Sequence, residues 1–374
     1  MPKRIVVSDR LMQPIAHFSH GVRIGATVHL GAAAGVDAAR RLAGTTPGLG
    51  DMPAQTEQLF ANLRIALEAL GGSWTDVVRV KTYIVDWRDL PAYEAVYAAR
   101  MGATRPAAAT VGTWGFPLPQ ILLETELVAC PGGSGGRADG LYYRNAAPID
   151  GGGAVAAPRD ARAQAEVAIR NLAAVLEEAG LGLEHVVMLE VSLADIRVLE
   201  AFDAVFARFF RPPFPARSVV GVPLSRAGQL VELEAIAATG GEPIEPAGAV
   251  PPAMAVSAMR AGDWFFASAR SGAEEPGAEA QTRRAWERIA ASLDAAGMAL
   301  EDVVRTNNIL TDWRAYAAFN AGYGAFVTRP YPPRATVHAA LAAPGACVQV
   351  QAIAHRQGRD ATVLEADRNR AGAT

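Results

Sequence analysis

Cysteine is scarce. Cys130 and Cys347 are the two in 374 residues, too few for a disulfide framework, and no Cys-x-x-Cys pair is present to hold zinc. A surplus of one charge is also missing. Lys and Arg number 35 against 38 Asp and Glu, a formal net charge of −3, so the basic excess of a generic nucleic-acid binder is absent. No run approaches the roughly 20 apolar residues that span a bilayer. The stretch from Met1 to Arg10 is basic but lacks the apolar segment of a secretory signal. The expected compartment is therefore the cytoplasm, with neither nucleic acid nor membrane as partner. The six histidines, at 17, 20, 29, 185, 338 and 355, form no i, i+4 pair beside a carboxylate, so no metal and no cofactor is expected. Apolar material is plentiful: 51% hydrophobic against 20% charged residues excludes a disordered chain and supplies a core.

The length suggests two or three domains, and internal similarity selects three. The segments 55–84, 164–193 and 281–310 read alike. Each carries an amphipathic helix pattern; in the first, Leu59, Leu63, Ala66, Leu67 and Leu70 recur at three- and four-residue steps. Gly71, Gly180 and Gly297 follow, where a left-handed residue closes a helix without steric cost. A β-branched run comes next, Val77–Val85, Val186–Leu193 or Val303–Leu310, and then Asp86, Asp195 or Asp312 begins a shorter helix. That helix carries an i, i+4 aromatic pair suited to packing on a sheet: Tyr93 and Tyr97, Phe202 and Phe206, Phe319 and Tyr323. A Pro-containing turn and two apolar strands close each unit. The expected fold is α+β, with unit boundaries at 1–130, 131–245 and 246–374. The Gly/Pro-rich joints 130–140 and 240–252 read as solvated linkers, and the segment from about Ala361 as a frayed tail.

The closing stretches carry a resemblance. The sequence Phe214-Pro215-Ala216-Arg217-Ser218-Val219-Val220 precedes Val231-Glu232-Leu233-Glu234-Ala235-Ile236-Ala237 in the second unit. The third has Pro332-Pro333-Arg334-Ala335-Thr336-Val337 before Val348-Gln349-Val350-Gln351-Ala352-Ile353-Ala354. The first, more changed, has Arg105-Pro106-Ala107-Ala108-Ala109-Thr110-Val111 before Leu123-Glu124-Thr125-Glu126. Each unit resembles the Rid (YjgF-like) family, whose best-known members hydrolyse reactive enamines and imines derived from amino acids. Those members are small homotrimers with ligand clefts between subunits. The resemblance implies three tandem YjgF-like (chorismate-mutase-like) domains that close within one chain as a monomeric pseudo-trimer, with further association left open.

Hydrolysis of an imino acid needs a cation for the carboxylate and a group to handle water. Arginine pairs two parallel N–H bonds with a carboxylate, and a side-chain acid serves as general base. In the second unit, Arg217 and Glu232 flank an expected hairpin; a symmetric register sets them opposite one another. The plain alternative for such a pair is a surface ion pair worth about 0–1 kcal/mol. The resemblance assigns carboxylate binding to Arg217 and water positioning to Glu232, with Ser218, Asn145 and Asp203 as substrate-contacting neighbours. In the third unit it points to Arg334, Thr336, Asn320 and Ser268. There Gln349 stands where the acid belongs, so this cleft is expected to bind an acid without hydrolysing it. The first unit has Ala108 in place of the arginine, although Glu124 is kept and Phe18 stands at the family's tyrosine position; it is expected to be structural. The reading is a cofactor-free deaminating hydrolysis of a small enamine or imine carboxylic acid, in a cleft between units. The alternatives are a tailoring or chorismatase-like enzyme of secondary metabolism on the same fold, or a non-catalytic small-acid-binding or interaction protein.

Overall fold

The long helix of each unit lays an apolar stripe on its sheet, and in the first two units a side-chain cap fixes where it starts. These helices span Met52–Ala69, Ala161–Glu177 and Gly277–Ala295 in a computed structural model that describes residues 2–46, 49–102 and 104–366. All three begin three or four residues before the repeated segments at 55, 164 and 281. The side chain of Asp51 accepts the N–H of Ala54, and that of Asp160 accepts those of Arg162 and Ala163. Gly71, Gly180 and Gly297 follow the helices at φ of +74°, +71° and +69°. Central strands Val77–Ile84, Val186–Leu193 and Val303–Leu310 come next, then short helices Leu90–Met101, Leu199–Phe209 and Tyr316–Gly324. Asp86, Asp195 and Asp312 cap the single turns before these helices by accepting the N–H of Arg88, Arg197 and Arg314.

Two strands then complete each sheet: edge strands Ala107–Gly112, Ala216–Gly221 and Arg334–His338, and closing strands Leu123–Ala129, Val231–Ala237 and Val348–His355. Opening strands Thr27–Ala33, Leu141–Ala146 and Trp264–Ala267 pair with the closing strands. In the main sheet of each unit the order runs edge, central, closing, opening. Central and edge strands are parallel, as a strand–helix–strand crossover requires, so the closing strand pairs on the other side of the central strand. The expected hairpin between 217 and 232 therefore does not exist. Arg217 lies opposite Leu189 and Glu232 opposite Ser192. These are three residues apart on the central strand, so Arg217 and Glu232 stand on opposite faces of the sheet.

Two other expectations change. The joints contain strands: Arg137–Ala138 pairs with Leu141 and Tyr142, and Glu242–Ile244 with Ala258–Arg260. The tail is ordered through Ala366. Residues Ala361–Ala366 lie parallel to Lys3–Ser8 and cover what would be an open sheet edge. The remainder of that tail, 367–374, is outside the described residues.

One face of each sheet carries its unit's helices over a separate apolar core. The other face meets the remaining two units around a shared axis. A β-bulge recurs after the first residue of each central strand, between Val77 and Arg79, Val186 and Met188, Val303 and Arg305. It turns a polar row inward between two apolar layers formed jointly by all three units. In this row Arg79 reaches Glu126 at 3.2 Å, Glu234 at 3.0 Å and Glu190 at 3.7 Å. Lys81 reaches Glu190 at 2.6 Å and Glu234 at 2.5 Å, and Arg305 bonds Glu126. Three cations thus balance three carboxylates. Burial opposes the Glu190 charge, yet Lys81, Arg79 and Arg305 hold its carboxyl down at about 2. Above this row the edge strands link in a ring. Gly112 N–H donates to Pro223 O at 2.8 Å, Gly221 and Ala340 exchange two bonds of 2.9 Å, and Thr113 Oγ1 donates to His338 O at 3.0 Å.

Removing one member of this network strands its partners in the interior. Arg79→Met is expected to lower the unfolding free energy by about 3–5 kcal/mol in urea denaturation; an unchanged midpoint would show that the axial charges do not hold the units together.

Candidate functional site

Rotation about the axis brings each edge strand against the opening strand of the next unit. The approach of the third unit to the first is close because Gly31 has no side chain. A Cβ there would lie 3.0 Å from Arg334 O and 3.1 Å from Arg334 N. At this seam a cavity of about 180 Å³ opens, with Arg334 and Thr336 on one wall and Phe18, Ser19 and Glu124 on the other.

Arg334 begins its edge strand opposite Thr306, on the helix-bearing face. The aromatic pair of the short helix receives it: the guanidinium carbon is 5.4 Å from the Phe319 ring centre and 5.0 Å from that of Tyr323. Tyr316 and, from the first unit, Phe18 lie at 5.8 Å. Nη2 donates to Asn320 Oδ1 at 2.9 Å and to Tyr316 Oη at 3.0 Å. The amide of Asn320 is itself oriented by donating to Tyr316 O at 2.8 Å. Nη1 is buried and has no hydrogen-bond partner, a costly state for a charged donor unless a ligand completes it. Thr336 Oγ1 and Ser19 Oγ are likewise buried and unpartnered.

Glu124 lies on the closing strand of the first unit, opposite Tyr83 and facing the neighbouring units. Burial pushes its carboxyl up to about 8, although Arg334 pulls the other way. The cation and the acid of this cavity thus come from different units, the third and the first. Glu124 and Phe18, assigned to a structural unit by sequence, belong here.

The same rotation separates the residues expected to work together in the second unit. Arg217 sits over Phe202 and Phe206, at 5.4 and 4.8 Å, with its Nη2 bonded to Asp203 Oδ1. Its backbone meets the third unit: Arg217 N–H donates to Ser268 Oγ and Ala269 N–H to Arg217 O, both at 2.9 Å. Ser218 Oγ accepts from Gln349 Nε2 at 3.2 Å. Ser268 and Gln349 therefore face Arg217, not Arg334. Glu232 takes a bond from Gln229 Nε2 at 2.6 Å, and burial pushes its carboxyl up to about 8. By the symmetry it belongs with Ala108, whose carbonyl accepts from Asn145 Nδ2 at 2.8 Å. The three seams thus combine Arg334 with Glu124, Arg217 with Gln349, and Ala108 with Glu232. In the second of these, Asp203 occupies the place of Asn320 and already neutralises the arginine. Among the described residues no group of three or more His, Cys, Asp or Glu gathers as a metal ion would require, and no helix is long and apolar enough to cross a membrane.

Comparison with known proteins agrees with this tripartite design. The family model described as endoribonuclease L-PSP matches the chain three times, over residues 8–130, 141–239 and 250–356. The chain belongs to this family, that of the RutC, YjgF and Rid proteins. A 2-iminobutanoate/2-iminopropanoate deaminase of Dermatophagoides farinae is 32% identical over 116 residues, which are 31% of this chain and 88% of that protein. A RutC family protein of Pyrococcus abyssi is 27% identical over 131 residues, 34% of this chain and 98% of the relative. Among solved structures, a putative endoribonuclease of Thermotoga maritima is 26% identical, covering 34% of this chain and 96% of its own, with a TM-score of 0.31. Each relative is thus one YjgF-like unit long, whereas this family member carries three.

The seams differ in what they leave unsatisfied, so they should differ in binding. Titration calorimetry with pyruvate is expected to give one equivalent per chain, abolished by Arg334→Met and retained by Arg217→Met. Three equivalents, or loss on changing Arg217 instead, would contradict the pairing.

Proposed function

We propose that the cavity between the third and first units hydrolyses an imine or enamine of an amino-acid-derived carboxylic acid, releasing ammonia and a keto acid. The observation that carries this reading is the buried, unpartnered Nη1 of Arg334 lining one cavity with a carboxyl whose proton is held near neutral pH. The deaminase named among the relatives supports the same chemistry. The whole chain, which supplies all three units, is proposed as the working entity.

Arg334 would hold the substrate carboxylate through a charge-assisted bond, with Thr336 Oγ1 and Ser19 Oγ as further hydrogen-bonding groups in the cavity. Glu124 would move the protons. In its acid form it can protonate the β-carbon of an enamine, yielding the iminium and its own carboxylate. As carboxylate it takes a proton from the water that attacks the C=N carbon, giving a carbinolamine. It then passes a proton to nitrogen and recovers one from the hydroxyl as the C–N bond breaks. Ammonia and the keto acid leave, and Glu124 ends protonated as it began. Protons and water suffice, so a cofactor is not part of the proposal. This reading moves the active pair from Arg217 and Glu232, which stand on opposite sheet faces, to Arg334 and Glu124.

The test is ammonia release from freshly generated 2-iminopropanoate above the spontaneous rate. Glu124→Gln should lower kcat by about 10²- to 10⁴-fold, and Arg334→Met should raise KM, while Arg217→Met has little effect. The pH profile has a definite sign. Glu124 is protonated below about 8, so the carboxylate that activates water grows as pH rises. Imine hydrolysis should therefore climb toward pH 8 and level off above it, a limb that Glu124→Gln loses. Full activity in both variants would overturn the assignment.

A further inference from the structure

The carboxylate, the C=N group and a water occupy a small part of a cavity of about 180 Å³. For scale, an engineered cavity of about 150 Å³ lined by aliphatic and aromatic side chains holds a benzene molecule. The walls away from Arg334 and Glu124 are apolar, formed by Leu11, Met12, Leu63, Ala66, Leu118 and Ile121 of the first unit. Two polar side chains also line this region, and both are already engaged. Asn62 donates to Ala34 O at 2.9 Å and Val36 O at 2.8 Å, and its Oδ1 accepts from Gln58 Nε2 at 2.9 Å. His20 Nδ1 accepts from Ser8 N–H at 3.3 Å, leaving Nε2 as the donor to Met12 O at 2.9 Å. Both ring nitrogens of His20 and both N–H groups of Asn62 are taken, so neither side chain has a donor left for a carboxylate or other accepting substituent. Leu118 and Ile15 are 53% and 61% exposed while lining the cavity, an apolar rim that bound ligand could cover.

We infer that the ligand of this site carries a bulky apolar side chain, aromatic or branched aliphatic, that lies against the first unit's long helix while its carboxylate is held by Arg334. The inference rests on the reading of the cavity as an imino-acid site and names the class of acid it takes. A charged side chain is disfavoured because the apolar wall offers it no counter-charge. Met12 adds an adaptable surface, which suits recognition by shape rather than by hydrogen bonds.

The experiment uses the full chain. Calorimetry compares phenylpyruvate and 4-methyl-2-oxopentanoate with pyruvate and oxaloacetate, and ammonia release is followed from the imines of phenylalanine, leucine and alanine. Burying the larger side chain is expected to tighten binding about 10- to 100-fold over pyruvate, with oxaloacetate no tighter than pyruvate. Ala66→Leu, which fills the cavity, should cut the phenylpyruvate-to-pyruvate preference at least about tenfold; Leu118→Asp, at an exposed position that folding tolerates, should reduce it too. Equal or tighter binding of pyruvate, with ammonia still released from the alanine imine, overturns the side-chain inference and leaves the hydrolase reading intact. Tight phenylpyruvate binding without ammonia from any imine supports the ligand class and overturns the hydrolase reading. Absence of binding by every acid overturns both.

Discussion

The whole molecule depends on how the inner face of each sheet is buried. Helices cover one face within a unit, and the other is covered by two neighbours. A unit alone would expose Val78, Arg79, Lys81 and Tyr83, or their counterparts, to water together. Closure removes the apolar layers from water and sets the charged row between them, where each charge must find its opposite. The partners come from different units: Arg79 and Lys81 from the first, Glu190 and Glu234 from the second, Arg305 from the third. The row would not balance if any one unit were used three times. The second contributes two carboxylates and no cation to it, the third an arginine and no carboxylate.

The same closure builds the clefts. Since an edge strand is always set against the opening strand of another unit, the cation and the acid of a cleft never belong to one unit. Covalent linkage then lets the seams diverge independently. Between the second and third units, Asp203 takes the place held by Asn320 in the third unit, and the arginine spends its charge internally. Between the first and second, no arginine is present. Between the third and first, Asn320 orients the guanidinium without neutralising it, and Nη1 is left over. One amide-to-carboxylate difference thus separates an arginine that can meet a ligand from one that already has its counter-ion.

Much of the fold was legible along the chain. The repeat, the long helices, their closing glycines, the aspartate caps and the aromatic pairs are local features, and local hydrogen bonding and periodicity determine them. Arg334, Thr336 and Asn320 were singled out by resemblance, and the structure sets Arg334 and Thr336 in one cavity with Asn320 bonded to the arginine. The segment Ala361–Ala366 was not legible, since its strand exists because the exposed edge of Lys3–Ser8, over 350 residues earlier, accepts it. The joints were misread for a similar reason, their short strands being stabilised by neighbours rather than by their own composition.

By itself, then, the sequence determined three α+β units and the residue types each brings to its seams. It carried even the hint that a strand–helix–strand crossover makes the edge strand parallel, which excludes a hairpin between Arg217 and Glu232. Which cation meets which acid was decided by tertiary structure. Side-chain facing is set by strand pairing, and pairing across an axis joins residues whose separation along the chain carries no information, as with Glu124 and Arg334.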